Sequence, residues 1–245
     1  MLNGSRFIIL LAAVAAALAT ARLGWWQLDR AAQKTAVHEA MLRQRALPAL
    51  AAAELARDAA AAAAQQHRAV ALRGTWLAAQ TVYLDNRPMD GRAGFYVLTP
   101  LRLADGSVVL VQRGWLPRNV ADRTRITPPA TPAGEVDVQG RIATGPARLF
   151  ELGTAASGPI RQNLELDLFA HESGLPLRPV MVVQESGAAA ANDDGLLRHW
   201  PQPAADVHKH YGYAFQWFAM SALIGGLYVW FQLIRPARRR PAPGA

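Results

Sequence analysis

The stretch from Tyr211 to Ile234, YGYAFQWFAMSALIGGLYVWFQLI, contains 24 residues and no acidic, basic or histidine side chain. A helix of about 20 apolar residues is long enough to cross the hydrocarbon core of a bilayer. Aromatic residues occur at both ends of the stretch, as they do at the two interfaces of a membrane, and Arg235 follows directly. The stretch therefore predicts a transmembrane helix over residues 210–234, followed by a basic tail at 235–245.

A second apolar run lies near the amino terminus, from Phe7 to Ala21, with an arginine on each side. Residues 23–28 extend this run to a length that can cross a bilayer. A secretory signal peptide is the alternative, because the start is basic, the run is short and Ala17-Leu18-Ala19 resembles a small-x-small cleavage site. Composition leaves both possibilities open for residues 1–28.

The net charge of +8 comes from the two ends of the chain. Six of the 26 basic residues lie before residue 29 or after residue 209, where there is no acidic residue, which leaves 20 basic and 18 acidic residues between them. Basic residues next to apolar runs are typical of the cytoplasmic side of membrane helices, not of a nucleic-acid surface. We therefore expect both termini in the cytoplasm, a translocated central domain, membrane lipid as a partner and no nucleic acid.

The region after the first apolar run is predicted to be helical over residues 29–65, with Pro48 beginning a second helix. From residue 66 to 186 the apolar residues recur with a period of two, between turn signals. The predicted strands are Arg68–Leu77, Thr81–Asn86, Phe95–Leu103, Ser107–Trp115, Glu135–Ala143 and Pro179–Gln184.

Several local features of residues 66–186 indicate how these strands connect. Asp105-Gly106 predicts a hairpin with a primed turn, and Gly114 predicts a bulge or a sharp turn. Leu164–Ser173 is expected to be a short helix that ends at Gly174. Short connections favour an antiparallel sheet. The predicted fold is a mostly antiparallel, barrel-like α+β domain outside the cytoplasm, flanked by two transmembrane helices, with a linker at 187–209.

The sequence contains none of the motifs that mark common enzymes. It has no nucleophile elbow, no P-loop, no glycine-rich dinucleotide turn and no zinc-binding helix. The absence of cysteine excludes thiol catalysis, disulfides and cysteine-ligated metals. We therefore expect a protein that is not an enzyme.

One pattern does suggest a site. His210, Tyr213 and Trp217 are spaced at i, i+3 and i+7, which places them on one face of the second membrane helix. A neutral imidazole at the membrane boundary can bind a metal or a haem iron. It can equally cap the helix or bind lipid headgroups, and the spacing alone does not separate these roles.

Four stretches carry a family resemblance. They are Leu23-Gly24-Trp25-Trp26-Gln27-Leu28-Asp29-Arg30, Gly94-Phe95-Tyr96-Val97-Leu98-Thr99-Pro100, the run DGSVVLVQRGWLP at 105–117 and the run HYGYAFQWF at 210–218. In this order, between two membrane helices, they resemble the surfeit locus protein 1 family of cytochrome c oxidase assembly factors. The resemblance favours a retained first helix over a cleaved signal peptide.

The resemblance implies a bacterial inner-membrane protein with a periplasmic domain that takes part in cytochrome c oxidase assembly. It implies that the protein binds or hands over haem a during insertion into the largest oxidase subunit, with haem a synthase as a second candidate partner. The family's proposed haem ligand corresponds to His210, which makes this histidine the candidate metal ligand. A cofactor-free scaffold that stabilises an oxidase assembly intermediate is the alternative.

Other residues are candidates for contact with haem. Tyr213 and Trp217 share the face of His210, and Trp26 and Gln27 are expected at the same depth on the first helix. Trp26 is alternatively an ordinary interfacial tryptophan. Arg113 can pair with a haem propionate or a partner carboxylate, or can bond its own sheet.

Overall fold

The structure, a computed structural model, describes residues 4–119, 121–122, 125–150, 158–186, 194–201 and 207–235. The described residues divide into two compact units. One comprises the described parts of Met1–Glu39 and Gln202–Ala245, and the other lies within Ala40–Pro201. The predicted membrane helices fall mainly in the first unit and the predicted β domain in the second.

The described residues contain four α-helices and seven strands. The helices are α1 (Gly4–Arg45), α2 (Ala59–Ala64), α3 (Leu166–Ser173) and α4 (Val207–Tyr228), with a π-helical turn at Val229–Ile234 and 3₁₀ turns at Ala52–Glu54 and Ala78–Gln80. The strands are β1 (Ala69–Trp76), β2 (Val82–Leu84), β3 (Gly94–Leu103), β4 (Val108–Pro117), β5 (Glu135–Ala143), β6 (Ile160–Arg161) and β7 (Leu177–Gln184).

The strands form one sheet that closes on itself. Their order is β1-β5-β7-β4-β3-β2-β6, and β1 also pairs with β3, where Gly74 lies opposite Leu103 and Trp76 opposite Leu101. The β4–β7 and β2–β6 pairs are parallel, and the other pairs are antiparallel. Closure removes most free edges, so the predicted mostly antiparallel, barrel-like domain between two membrane-capable helices is confirmed.

The domain core explains why the strand pattern is readable in the sequence. Burial alternates along β1, whose inward side chains include Leu72, whereas β4 is buried at every position from Val108 to Trp115. Val109 and Val111 pack into one apolar cluster and Leu110 into another, so β4 is covered on both faces. Burying a Val or Leu side chain contributes about 1.5–3 kcal/mol, which favours this closed arrangement.

The predicted hairpin at Asp105-Gly106 forms, but the prediction of a primed turn is wrong. A type I′ turn needs positive φ at both central residues, and here only Gly106 has it, with φ +80°. The Gly106 N–H donates to the Leu103 carbonyl at 3.0 Å, and pairing between β3 and β4 resumes at Ser107. The loop is therefore one residue longer than predicted, with a left-handed glycine after the turn. The Asp105 carboxylate stabilises it by accepting from Ser107 N and Oγ.

The predicted bulge beside Gly114 is present. In the β3–β4 ladder Val97 lies opposite Gly114 while Leu98 lies opposite Gln112, so Arg113 is the extra residue on β4. A bulge turns the side chain of its extra residue away from the regular alternation. This local shift determines where the Arg113 guanidinium lies.

The helical region at 29–65 differs from its prediction. The first helix runs without a break from Gly4 to Arg45, across the predicted boundary at residue 28. After Pro48 the chain does not begin a long helix: Leu50 bridges Val70, a 3₁₀ turn follows, and α2 has only six residues, capped by the Asp58 carboxylate. Pairing of Leu50 with β1 competes with helix formation here, because its backbone groups already have sheet partners.

The described part of the predicted linker at 187–209 does not form a linker, because its residues belong to the β domain or to α4. Residues 187–193 and 202–206 lie outside the described residues. Asp194 and Leu196 are buried, Leu197 pairs with Trp115 of β4, and α4 already begins at Val207. Gly195, with φ +70°, lets the chain turn onto β4, so residues 194–201 belong to the β domain.

Strand β6 was not predicted, because two residues are too short to show a period. The predicted helix at Leu164–Ser173 is confirmed as α3, which ends at a left-handed Gly174. The described residues of the basic tail consist of Arg235 alone.

Candidate functional site

Among the described residues, two helices are long and apolar enough to cross a membrane, Gly4–Arg45 and Val207–Ile234. The apolar part of each lies in the first unit. At about 1.5 Å per residue, α1 is roughly 63 Å long, about twice the thickness of a bilayer core of about 30 Å. The apolar part of α1 ends at Leu28, so a membrane would cover only its first half. The two helices fit a membrane protein.

Small residues bring the two helices into contact. Gly24 is buried, and a Cβ atom added there would lie 2.8 Å from the ring of Phe218. The Ser221 hydroxyl donates to the carbonyl of Ala17 at 2.9 Å. Small residues allow helix backbones to approach closely in a membrane, where a hydroxyl also needs a partner.

The contacts also give the relative direction of the helices. Ala17 meets Ser221, and further along α1 Gln27 meets His210, which comes earlier in α4. The helices are therefore antiparallel. Trp25 contributes an edge-on ring contact to Phe218, with ring centroids 5.8 Å apart.

His210 lies in the first turn of α4, and its side chain is held by a residue of α1. Its Nδ1 atom is 2.7 Å from Oε1 of Gln27, and both side chains are half-buried. An amide oxygen only accepts hydrogen bonds, so Nδ1 is the donor in this pair, and in the neutral ring Nε2 then carries the lone pair. The structure thus brings together two of the predicted site residues and leaves one ring nitrogen of His210 available for a ligand.

The other predicted residues of this unit lie on or near the same helices. Tyr213 is 52% exposed and Trp217 is half-buried, on the same helical face as His210. Trp26 is 50% exposed. Their contact with haem remains a prediction, and exposed aromatic rings at this position also suit a membrane interface.

Arg113 lies in the β domain and bonds its own domain. It is 2% exposed, and its guanidinium donates to Thr131 Oγ1 at 2.8 Å, to the Ala130 carbonyl at 2.9 Å and to Asp194 Oδ2 at 3.3 Å. It also lies over the ring of Trp76, 4.8 Å from the centroid. Burial lowers the pKa of the Arg113 guanidinium, and Asp194 opposes that shift. Of the two roles expected for Arg113, these contacts match the bond to its own domain and not a pair with a haem propionate or a partner carboxylate.

Asp194 is a residue that the sequence analysis missed. Besides Arg113 it accepts from Arg198 at 2.6 Å, and it caps the turn by accepting from Leu196 N at 3.1 Å. It stands in a run of small and turn-forming residues, and 81 positions separate it from Arg113. No local signal marks such a distant partner.

The Arg-Gly-Trp motif at 113–115 joins three parts of the β domain. An added Cβ at Gly114 would lie 2.5 Å from Cβ of Leu196, so glycine allows residues 194–197 to pack here. Trp115 pairs through its backbone with Leu197, and its indole N–H donates to the Arg87 carbonyl at 2.6 Å. The motif therefore holds the chain segment that leads towards α4.

Metal-binding options among the described residues are few. Within those ranges no three histidine, aspartate or glutamate side chains are grouped closely enough to hold a metal ion. A single histidine with a free ring nitrogen suits one axial position of a haem, whose porphyrin supplies the remaining nitrogens. His210 fits this requirement.

Two membrane-capable antiparallel helices and a barrel-like β domain fit one class of protein, a membrane protein with a helix pair and a β domain. The SURF1 (surfeit locus protein 1) family model matches residues 14–222, which include the whole β domain and the greater part of α1 and of α4. The chain belongs to the SURF1 family, a family of assembly factors that is generally linked to cytochrome c oxidase. The resemblance predicted from the four stretches is confirmed.

Curated relatives match most of the chain. A "SURF1-like protein" of Rickettsia bellii is 26% identical over 84% of this chain and 83% of its own length. One of Rickettsia conorii is 28% identical over 84% of each chain, and one of Monosiga brevicollis is 28% identical over 86% of this chain and 82% of its own. The similarity to these relatives therefore extends over most of the chain and most of each relative.

Proposed function

We propose that this protein binds haem a and holds it during insertion into the largest subunit of cytochrome c oxidase, with His210 as an axial ligand of the iron. The position of His210 carries the proposal. It is half-buried at the start of α4, fixed through one ring nitrogen, at the position of the family's proposed ligand.

The surroundings of His210 suit a molecule with an apolar ring and charged propionates. The stripe formed with Tyr213 and Trp217 offers aromatic surface, and the end of the apolar run lies where a membrane meets water. When bound, haem a would supply an iron that can take an imidazole nitrogen as a ligand. The chain's part is to donate the ring nitrogen and to orient it. Trp26 adds a further ring on α1 that can cover the porphyrin.

The proposed location is the bacterial inner membrane, with both termini in the cytoplasm and the β domain in the periplasm. The antiparallel helix pair supports termini on one side, and the basic residues after Ile234 support the cytoplasmic side. The proposed partners are the largest oxidase subunit, haem a synthase and membrane lipid. His210 would then lie at the periplasmic surface.

A spectrum of the purified protein tests the proposal. The full chain, extracted in detergent from cells that make haem a, should show a Soret absorption band. His210→Ala should abolish or shift the band, whereas His208→Ala should leave it unchanged, because His208 lies on another face of α4. A wild-type protein without haem would favour the cofactor-free scaffold, and an unchanged spectrum in His210→Ala would remove the ligand assignment.

A further inference from the structure

We propose that Gln27 is a positioning residue for His210: its amide oxygen holds the imidazole as the Nδ1–H tautomer and leaves Nε2 free to bind iron. The inference rests on the proposed function, in which His210 is the ligand. It gives Gln27 a role that needs no contact with haem, different from the contact expected from the sequence.

The first argument is the geometry of the hydrogen bond. Nδ1 of His210 and Oε1 of Gln27 are 2.7 Å apart, at the short end of the range for an N–H donor and an oxygen acceptor. The bond joins α1 to α4, with 183 positions between the two residues. It therefore fixes the ring relative to a second helix and not only relative to its own.

The second argument is that α1 holds Gln27 in place. Gly24, one turn before it, is packed under the ring of Phe218, and Ala31, one turn after it, is 0% exposed. Residues at 24, 27 and 31 lie on one face of a helix. Because the backbone on either side of Gln27 is fixed by packing, the amide has little freedom to leave His210.

The third argument is chemical. A neutral imidazole carries one proton, and iron binds only the ring nitrogen without it. An acceptor at Nδ1 selects the tautomer whose Nε2 lone pair is exposed, and it also increases the basicity of that nitrogen. Loss of such an outer partner typically lowers metal affinity by about 10–100-fold.

A measurement without haem tests the tautomer directly. The full chain, labelled with ¹⁵N-histidine in detergent, is examined by long-range ¹H–¹⁵N NMR at a pH of about 8, where free imidazole is neutral. Loss of one signal set in His210→Ala assigns that residue. The wild-type chain should show the Nδ1–H tautomer, and Gln27→Leu should convert it to a mixture. An Nε2–H tautomer in the wild-type chain, or no change in Gln27→Leu, would overturn the proposal.

Haem titration tests the consequence for ligation. Gln27→Leu should raise the haem dissociation constant by about 10–100-fold and lower the iron–imidazole stretching frequency in the resonance Raman spectrum. Gln27→Glu keeps an acceptor and should restore both. Gln216→Leu removes an exposed amide from α4 and should match the wild-type chain.

The outcomes separate the two proposals. If the wild-type chain and the Gln27→Leu variant bind haem with equal affinity, the positioning role is wrong while the proposed function stands. If the wild-type chain binds no haem although the NMR signals respond to Gln27→Leu, the proposed function is wrong and the hydrogen bond only joins the helices.

Discussion

Asp194 receives hydrogen bonds from two arginines in a part of the β domain that excludes water. The side chains of Asp194, Arg113 and Arg198 are between 2% and 6% exposed. A buried charge is tolerated only when it is paired, and here one carboxylate serves two guanidinium groups. Removal of the carboxylate would leave both cations without compensation.

We expect Asp194→Asn to destabilise the β domain strongly. Breaking a buried ion pair by removing one partner costs about 3–5 kcal/mol, because the remaining charge stays buried. The midpoint of urea unfolding, followed by tryptophan fluorescence of the full chain in detergent, should fall accordingly.

Glu135→Gln is the matched control for this substitution. Glu135 pairs with Arg73 at 3.1 Å, but both side chains are more than half exposed, so the expected loss is about 0–1 kcal/mol. Equal losses for the two variants would show that burial does not set the strength of the Arg113–Asp194–Arg198 cluster.

The same cluster illustrates what sequence reasoning finds and what it misses. The bulge was predictable, because Gly114 interrupts an apolar strand locally. The partner of Arg113 was not, because Asp194 is distant in sequence and stands in a run that resembles a linker. A local feature such as the bulge can be predicted from adjacent residues. A buried ion pair depends instead on which distant segments the fold brings together.

The helices and strands were predicted from the period at which apolar residues recur and from the length of each apolar run. The strands of the barrel were found because their faces alternate, and α3 because a glycine ends it. A barrel-like domain was predicted, but the pairing of β1 with β3 that closes it was not, since pairing depends on the register between strands and not on either strand alone. The prediction of a second helix that begins at Pro48 was wrong, because helix propensity does not reveal that Leu50 pairs with β1.

The packing of the helix pair was predicted only in part. In the sequence, Ser221 with Gly225 and Ala222 with Gly226 are spaced as small-x-x-x-small pairs, which predicts close packing of α4 there, against α1 or against helices of the oxidase. Ser221 does contact α1, but in the described part of the chain an added Cβ at Gly225 or Gly226 would meet no atom within 4 Å. The close approach lies instead at Gly24, where Phe218 covers the glycine.

We therefore expect Gly24→Leu to separate α1 from α4, because its side chain would displace the Phe218 ring. The wild-type chain has no cysteine, so Ala17→Cys with Ser221→Cys provides a crosslink between the helices. The yield of this crosslink should drop in Gly24→Leu. It should be unchanged in Gly226→Leu, and a drop of the same size there would contradict the assigned contact.

The proposed arrangement of the chain in the membrane rests on its charge distribution and its helix pair. A reporter that is active only in the periplasm should work when fused after Ser186 and fail when fused after Ala245. Activity at the carboxyl terminus would overturn the two-helix hairpin. Mass analysis of the mature protein tests retention of the first helix, since a chain that begins at Thr20 would reveal a cleaved signal peptide.

Membership of the SURF1 family and the geometry around His210 support one account, in which the helix pair presents an imidazole for haem a during oxidase assembly. The haem a content of cytochrome c oxidase tests it most directly, in cells that lack their own copy of this gene and carry a plasmid-borne variant. Oxidase from cells with His208→Ala should contain normal haem a, and oxidase from cells with His210→Ala should be deficient although the variant reaches the membrane in equal amounts. Normal haem a content with His210→Ala would contradict the account.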